Sequence, residues 1–205
     1  MTAILRLGVM GSGTGSNFDS ILRAIDEGRL DAEVKVVLSD VATAPILDKA
    51  RRRNIPAHVI KPNDYESILG ILREAGVDLV VLAGYMRIVK KPLLDAFPNR
   101  VVNIHPALLP KFPGLEAWVQ ALEAGVDETG CTVHFVDEGV DTGPIIKQAK
   151  VPCYRTDTPE TLHKRIQVEE HKLLPEVLQL IAEGRVKVEN RKVIILDSSP
   201  DMPRQ

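Results

Sequence analysis

The chain has 205 residues, of which 26 are Lys or Arg and 28 are Asp or Glu, so its formal charge is -2. Hydrophobic residues make up 44% and charged residues 26%, the balance of a folded globular protein rather than a disordered chain. The near-neutral charge argues against a nucleic-acid-binding protein, and no apolar run reaches the roughly 18–20 residues of a membrane span. Cys131 and Cys153 are too few for a disulfide scaffold or a four-thiolate zinc site. We expect one domain over residues 1–205, located in the cytoplasm, with a loose tail after residue 197.

Short β-branched runs alternate with longer segments of helical period in the first half of the chain. This alternation predicts an α/β fold of three layers around a mainly parallel, twisted sheet, with a Rossmann-like N-terminal half. The predicted strands are Ile4–Met10, Val34–Ser39, Ala57–Ile60 and Leu79–Ala83. The predicted helices between and after them are Asn17–Glu27, Ala44–Arg53 and Tyr65–Ala75.

The second half begins with a strand over Val101–Ile104, which ends at His105-Pro106 because proline cannot continue a strand ladder. A proline-rich loop over residues 106–114 and a short helix up to Gly125 follow. Two further strands, Cys131–Val136 and Pro144–Val151, are joined by the acidic turn Asp137–Gly143. A long amphipathic helix over Pro159–Ala182 and a hairpin over Val186–Leu196 complete the prediction.

A glycine-rich turn, Gly11–Asn17 (GSGTGSN), joins the first strand to the first helix. Its glycines permit close backbone approach, and the free N–H groups of the helix that follows attract phosphate. A dinucleotide-binding G-x-G-x-x-G motif fails at its last position, Ser16, although Asp40 could serve as its ribose-binding acid. A turn that serves only strand–helix packing also stays open. We favour a site for a single phosphate.

Asn103 and His105 lie two residues apart at the end of a predicted strand, so their side chains share a face. An amide can donate to a developing oxyanion, and an imidazole can protonate it. A carboxylate would orient the imidazole, and Asp141 is the first choice, although spacing alone does not exclude Asp137 or Glu138. Ordinary hydrogen bonding at a strand end is the structural alternative.

Other catalytic chemistries have little support in the sequence. No Ser or Cys occupies a nucleophile elbow, and the histidines at positions 58, 105, 134, 163 and 171 lack metal-ligand spacing. The chemistry is therefore expected to be non-covalent and to use no metal.

Three ordered segments resemble a known family: Asn103–Pro110 (NIHPALLP), Pro113-Gly114 and Gly130–Gly143 (GCTVHFVDEGVDTG). The chain closely resembles the folate-dependent formyltransferases from about Leu7 to Arg185, and among them the branch that acts on glycinamide ribonucleotide. The resemblance implies the formyltransferase fold. It also implies transfer of a formyl group from the cosubstrate 10-formyltetrahydrofolate to the amine of glycinamide ribonucleotide, a step of purine biosynthesis.

The resemblance also implies a role for individual residues. Asn103, His105 and Asp141 match the catalytic trio of the family, and we expect Asp141 to raise the pKa of His105 and keep it cationic. The nucleotide phosphate would be bound by Gly15, Ser16 and Asn17, and its ribose by Glu170. The folate would be bound by Met86, Arg87, Ile88, Val89, Asn103, Asp137, Glu138, Gly139, Val140 and Asp141.

The chain departs from the family pattern at some positions. Glu116, Trp118 and Val119 replace residues that are often His, Asn or Arg in relatives. The segment Asp64–Ser67 lacks an arginine that many relatives place near the folate tail, a lack for which Lys61 or Arg87 could compensate. His134 suits either the pocket or simple packing, and it is left out of the catalytic set.

Several alternatives remain open from sequence. Formyltetrahydrofolate hydrolase and methionyl-tRNA formyltransferase share the trio, but we expect neither, because the first strand starts at residue 4 and no basic excess is present. A non-catalytic nucleotide-binding module would not explain the trio. Relatives include monomers and dimers, so a homodimer stays open. The turn Asp137–Gly143 is expected to be mobile before ligand arrives.

Overall fold

A computed structural model describes residues 4–197 of the chain, and the predicted loose tail after Asp197 lies outside them. Nine strands occur in this range. In chain order they are β1 Leu5–Met10, β2 Ala32–Ser39, β3 Ala57–Val59, β4 Leu79–Leu82, β5 Val101–His105, β6 Glu128–Phe135, β7 Ile145–Pro152, β8 Val186–Glu189 and β9 Lys192–Ile195.

Six helices connect these strands within the described residues. They are α1 Ser16–Asp26, α2 Pro45–Arg52, α3 Tyr65–Glu74, α4 Lys91–Ala96, α5 Ala117–Glu123 and α6 Pro159–Ala182. The bounds predicted for α6 are confirmed, because Pro159 starts the helix and Thr158 caps it through the backbone N–H of Thr161. Helix α4 was not predicted, since six residues are too short to display a helical period.

The seven strands β1–β7 form one sheet in the order β3-β2-β1-β4-β5-β6-β7. The first five strands in this order, β3-β2-β1-β4-β5, pair in parallel, and β6 and β7 are added antiparallel at one edge. The predicted α/β fold with a mainly parallel sheet and a Rossmann-like first half is therefore confirmed. The strand order reverses between β1 and β4, and ligands bind beyond the carboxyl ends of strands at such switch points.

Apolar side chains cover both faces of the sheet in two separate clusters. One cluster packs α1, α2 and α6 on the sheet, with Phe18, Ile21 and Leu174 fully buried. The other packs α3 and α4 on the opposite face through Leu72 and Leu93. These clusters form the three layers and fix the strand ends that carry the site. In residues 4–197, no helix combines the length and apolar character of a membrane span.

Candidate active site

A cavity of about 380 Å³ opens at the carboxyl ends of β1, β4 and β5. It is lined by the glycine turn, the segment after β4, the end of β5, the loop after β6 and one face of α6. Nearly all residues predicted to bind nucleotide or folate line it, although they come from distant parts of the sequence. The exception is Glu138, which is exposed and does not line this cavity.

The glycine turn brings the backbone close to its neighbours at the mouth of β1. A Cβ atom at Gly11 would lie 2.8 Å from the carbonyl oxygen of Ala83, and Gly15 has a φ of 75°, in the left-handed region that favours glycine. Helix α1 begins at the next residue, Ser16. Its free N–H groups and the positive end of the helix dipole therefore face the cavity, as an anion site requires.

Asp40 is engaged by protein groups and does not face a ribose. Its two oxygens accept hydrogen bonds from the Ser12 hydroxyl, at 2.5 Å, and from Arg87 Nε, at 2.7 Å. The hydroxyl of Ser12 also accepts from the backbone N–H of Met86 at 2.9 Å. Burial alone would raise the pKa of Asp40, but the bonds from Ser12 and Arg87 outweigh it and lower the pKa. These contacts argue against the dinucleotide-binding alternative.

Asn103 is oriented by a residue that the sequence left ambiguous. Strand β6 places His134 directly opposite Asn103, and Asn103 Nδ2 lies 3.3 Å from His134 Nε2. His134 Nδ1 donates to the carbonyl oxygen of Phe135 at 2.8 Å, so in the neutral form of the ring Nε2 accepts from Asn103. One amide hydrogen of Asn103 is used in this way and the other is left for a ligand. The alternation of β6 is the signal that could have placed His134 in the site.

His105 is held through both of its ring nitrogens. Nε2 donates to the carbonyl oxygen of Phe112 at 2.8 Å, and Nδ1 lies 3.3 Å from Asp141 Oδ2. The pKa of His105 is nevertheless lowered, because burial of the ring outweighs the contributions of Phe112 and Asp141 that raise it. Asp141 therefore raises the pKa of His105, as expected, although burial lowers it by more.

Asp141, rather than Asp137 or Glu138, is the carboxylate that faces His105. It adopts a left-handed backbone with a φ of 54°, and its Oδ2 accepts from the backbone N–H of Gly114 at 2.8 Å. Its Oδ1 lies 3.6 Å from His134 Nε2. Burial would raise the pKa of Asp141, but the contacts with His134, Gly114 and His105 lower it overall, so the group stays ionised.

Glu170 projects from α6 into the opposite side of the cavity and is almost fully buried. Its Oε2 accepts from Asn17 Nδ2 at 3.3 Å, which joins the last helix to the first. Burial raises the pKa of Glu170 to about 7. Asn17 Oδ1 is buried without a hydrogen-bond partner, so this side presents an acceptor to a ligand that carries donors.

The positions that depart from the family pattern lie near this side. Trp118 stacks on His163 with ring centroids 3.8 Å apart, and both side chains line the cavity, as does Glu116. Val119 does not line it. No local pattern predicts the stacked pair, because α5 and α6 bring together two aromatic rings that are far apart along the chain.

The folate-tail region predicted near Asp64–Ser67 has a structural role in this chain. Asp64 caps α3 by accepting from the backbone N–H of Ser67 at 3.2 Å. Arg87, one of two residues expected to compensate for a missing arginine, already pairs with Asp40. Between residues 4 and 197, no cluster of His, Cys, Asp and Glu side chains is arranged to hold a metal ion.

Comparison with known proteins places this arrangement in a family. The formyl transferase family model matches residues 5–178, which contain every residue of the cavity named above. The chain belongs to the formyl transferase family. The "Phosphoribosylglycinamide formyltransferase" of Bacillus subtilis (strain 168) is 41% identical over 85% of this chain and 93% of its own length.

Two further proteins are similar to this chain over most of its length. "Glycinamide ribonucleotide transformylase 1" from Symbiobacterium toebii has a crystal structure that superposes with a TM-score of 0.93, at 51% identity, over 96% of each chain. The "Trifunctional purine biosynthetic protein adenosine-3" of Homo sapiens is 44% identical over 92% of this chain. The chain spans only 19% of that trifunctional relative's length, so it corresponds to one part of it.

Proposed function

We propose that this formyl transferase moves the formyl group of 10-formyltetrahydrofolate to the amine of glycinamide ribonucleotide, in purine biosynthesis. The products are N-formylglycinamide ribonucleotide and tetrahydrofolate. The observation that carries the proposal is the convergence of Asn103, His105 and Asp141 on one cavity. The same cavity also contains the N-terminus of α1 and the buried acceptor oxygens of Asn17 and Glu170. The similarity to enzymes named for this substrate supports it.

The two substrates would occupy opposite sides of the cavity. The phosphate of the nucleotide would bind the N-terminus of α1 at Gly15, Ser16 and Asn17, and its ribose hydroxyls would donate to Glu170. The folate would lie along residues 86–89 and the loop 137–141, both of which contribute residues to the lining of the cavity. The reacting amine and formyl group then meet beside the trio.

The reaction needs one proton relay and no external reactant. The amine nitrogen bonds to the formyl carbon, and the carbonyl electrons move to oxygen. Asn103 donates its free amide hydrogen to this oxyanion, since its other hydrogen is bound to His134. When the intermediate collapses, the bond to N10 of the folate breaks, the product nitrogen loses a proton and N10 gains one, so protons balance.

His105 would become cationic during this step by taking up the proton that the amine nitrogen loses, and it would then pass that proton to N10 of the folate. Burial lowers the pKa of the His105 ring in the empty site, but a nearby oxyanion raises the pKa of an imidazole. Asp141 is already ionised on the other side of the ring and favours the same charge. Because both ring nitrogens have protein partners, contact with the oxyanion requires His105 to exchange one of them, such as the Phe112 carbonyl.

A spectroscopic assay tests the proposal. Purified protein is mixed with 10-formyltetrahydrofolate, and tetrahydrofolate formation is followed with and without glycinamide ribonucleotide. Turnover that depends on the nucleotide supports the transferase. Turnover in the absence of the nucleotide would identify a hydrolase. If the substrates bind but no turnover occurs, the protein is a non-catalytic binding module. The homodimer and the cytoplasmic location stay predictions, to be tested by light scattering and by cell fractionation.

A further inference from the structure

The β8–β9 hairpin reaches the loop that carries Asp141, although nearly fifty residues separate them in sequence. The two-residue turn of the hairpin is Asn190-Arg191, with φ values of 49° and 61°. Strand β9 packs against β7 at the edge of the main sheet, so the turn is fixed relative to the cavity. The turn therefore lies beside the loop over residues 137–143, at the end of a hairpin that packs against β7.

One nitrogen of Arg191 bridges the two ends of this loop. Nη2 donates to Asp137 Oδ2 at 2.7 Å and to the carbonyl oxygen of Thr142 at 3.2 Å. Asp137 also accepts from the backbone N–H of Gly139 at 3.1 Å and from the Thr142 hydroxyl at 2.7 Å. Most of these polar contacts meet at Asp137, and among them only those of Arg191 come from outside the loop. Asp141 itself is held by a further outside contact, from the backbone N–H of Gly114.

An arginine at position 191 is unexpected, because the backbone there is left-handed. A two-residue hairpin turn with both residues in the left-handed region favours Asn at the first position and Gly at the second. Asn190 fits this rule, whereas Arg191 occupies the position where glycine has the lower conformational cost. A side chain retained at a disfavoured backbone position is a reason to look for a function, and here the guanidinium contacts supply one.

We propose that Arg191 is a positioning residue that holds the loop 137–143 in the conformation in which Asp141 faces His105 and the loop lines the folate side of the cavity. The part of this inference that concerns folate rests on the proposed function, whereas the part that concerns loop order does not. The C-terminal hairpin thereby becomes a component of the site. Its contribution is moderate, because Arg191 is largely exposed.

The Arg191→Gly variant separates this role from a structural one. Glycine suits the left-handed turn, so the hairpin and the free energy of unfolding should be retained while the guanidinium is lost. Lys192→Ala is the matched control, since it removes one positive charge from the same hairpin at an exposed position. Both variants are compared with the full-length wild-type protein.

The first readout is amide hydrogen exchange in the ligand-free protein, with the N–H of Gly139 as reporter. Arg191→Gly should speed exchange over residues 138–142 by about threefold to tenfold, the size expected for a partly exposed charged contact. Lys192→Ala should leave it unchanged. Equal exchange in Arg191→Gly and wild type would overturn the proposal, even if the enzyme is active.

The second readout is steady-state kinetics. In Arg191→Gly, the KM for 10-formyltetrahydrofolate should rise about threefold to tenfold while the KM for glycinamide ribonucleotide stays constant, because the nucleotide side is built on α1 and α6. A change in both KM values would indicate general destabilisation and overturn the positioning role. A wild-type protein without formyl transfer would refute the proposed function alone, and the exchange data would still decide whether Arg191 holds the loop.

Discussion

The side of the cavity proposed to bind the nucleotide and the side proposed to bind the folate, called here the nucleotide side and the folate side, are built in different ways. The nucleotide side consists of helix ends that buried apolar residues such as Phe18 and Ile21 hold in place, with Glu170 buried among them. The folate side consists of loops that polar contacts hold in place, above all those of Asp40 with Arg87 and Asp137 with Arg191. Because partly exposed charged contacts are screened by salt, we expect folate binding to be the more sensitive to ionic strength and to single substitutions.

A large effect is expected where the two sides meet, at Asp141. Asp141→Asn keeps an oxygen that can accept from the backbone N–H of Gly114, but removes the negative charge beside His105 and His134. Without that charge, a cationic His105 loses its stabilisation when the oxyanion forms. We expect kcat to fall by about 10²-fold or more, as when one oxyanion donor is lost.

This prediction is checked by turnover together with binding. Isothermal titration with glycinamide ribonucleotide should give a Kd close to that of the wild type, since the nucleotide side is not altered. Near-wild-type turnover in Asp141→Asn would exclude the role given to this carboxylate. A lost affinity for the nucleotide would mean that the two sides are not independent.

Glu170 tests the buried side through the pH dependence of stability. Its folded pKa is about 7, above the ordinary value of 4.5, so ionisation opposes folding. The cost is absent below about pH 4.5, grows as the pH rises, and is complete above about pH 7, where it amounts to about 3 kcal/mol. Glu170→Gln removes this titration, so the variant should gain stability relative to the wild type between pH 5 and pH 8.

Urea unfolding at pH 5 and at pH 8 measures the difference in stability between Glu170→Gln and the wild type. Glu169→Gln is the matched control. Glu169 is the partly exposed neighbour on α6, paired with Lys172, and its substitution should not change the pH dependence. The same Glu170→Gln variant should bind the nucleotide more weakly, because a neutral amide is the poorer acceptor for ribose hydroxyls. A pH dependence identical in wild type and Glu170→Gln would show that the carboxyl is not the titrating group.

The smallest effect is expected at Asp40, on the folate side. Asp40→Asn can still accept from Ser12 but no longer pairs with the Arg87 cation, so the segment after β4 should loosen. We expect the KM for 10-formyltetrahydrofolate to rise about threefold at low salt, and less at high salt, where the wild-type contact is itself screened.

The control for this variant is Asp48→Asn, which breaks an exposed pair with Arg51 on α2, away from the cavity. It should leave both KM values unchanged. If Asp40→Asn instead raises the KM for the nucleotide, the segment after β4 and the glycine turn act as one unit through Ser12, and the division of the cavity into two sides is wrong.

The sequence predicted the fold well wherever local signals were strong. The cap at Thr158 and the proline that follows define the start of α6, and the β-branched run at Leu79–Leu82 defines a central strand. Helix α4 was missed because it is short and begins beside Pro92. The strand Glu128–Phe135 starts three residues earlier than predicted, since pairing with β7 extends it beyond its apolar run.

The candidate site was predictable in its residues but not in its contacts. Asn103 and His105 share a face because of strand periodicity, and the resemblance to a family added Asp141 and Glu170. The bond between Asn17 and Glu170 joins the two ends of the fold, and no local pattern encodes it. The raising effect of Asp141 on the pKa of His105 was predicted, but the larger lowering by burial was not, because sequence gives charged neighbours and not the depth of burial.

The role of Asn103 is tested most directly by the rate of formyl transfer in a single turnover. Asn103→Ala removes the amide donor aimed at the oxyanion, and it leaves the anion site at α1 and the carboxylate of Glu170 in place. Our account predicts a transfer rate about 10²–10³-fold below that of the wild type, with nucleotide affinity retained. A rate within about threefold of the wild type would contradict it, because a donor in the transition state is worth far more than that.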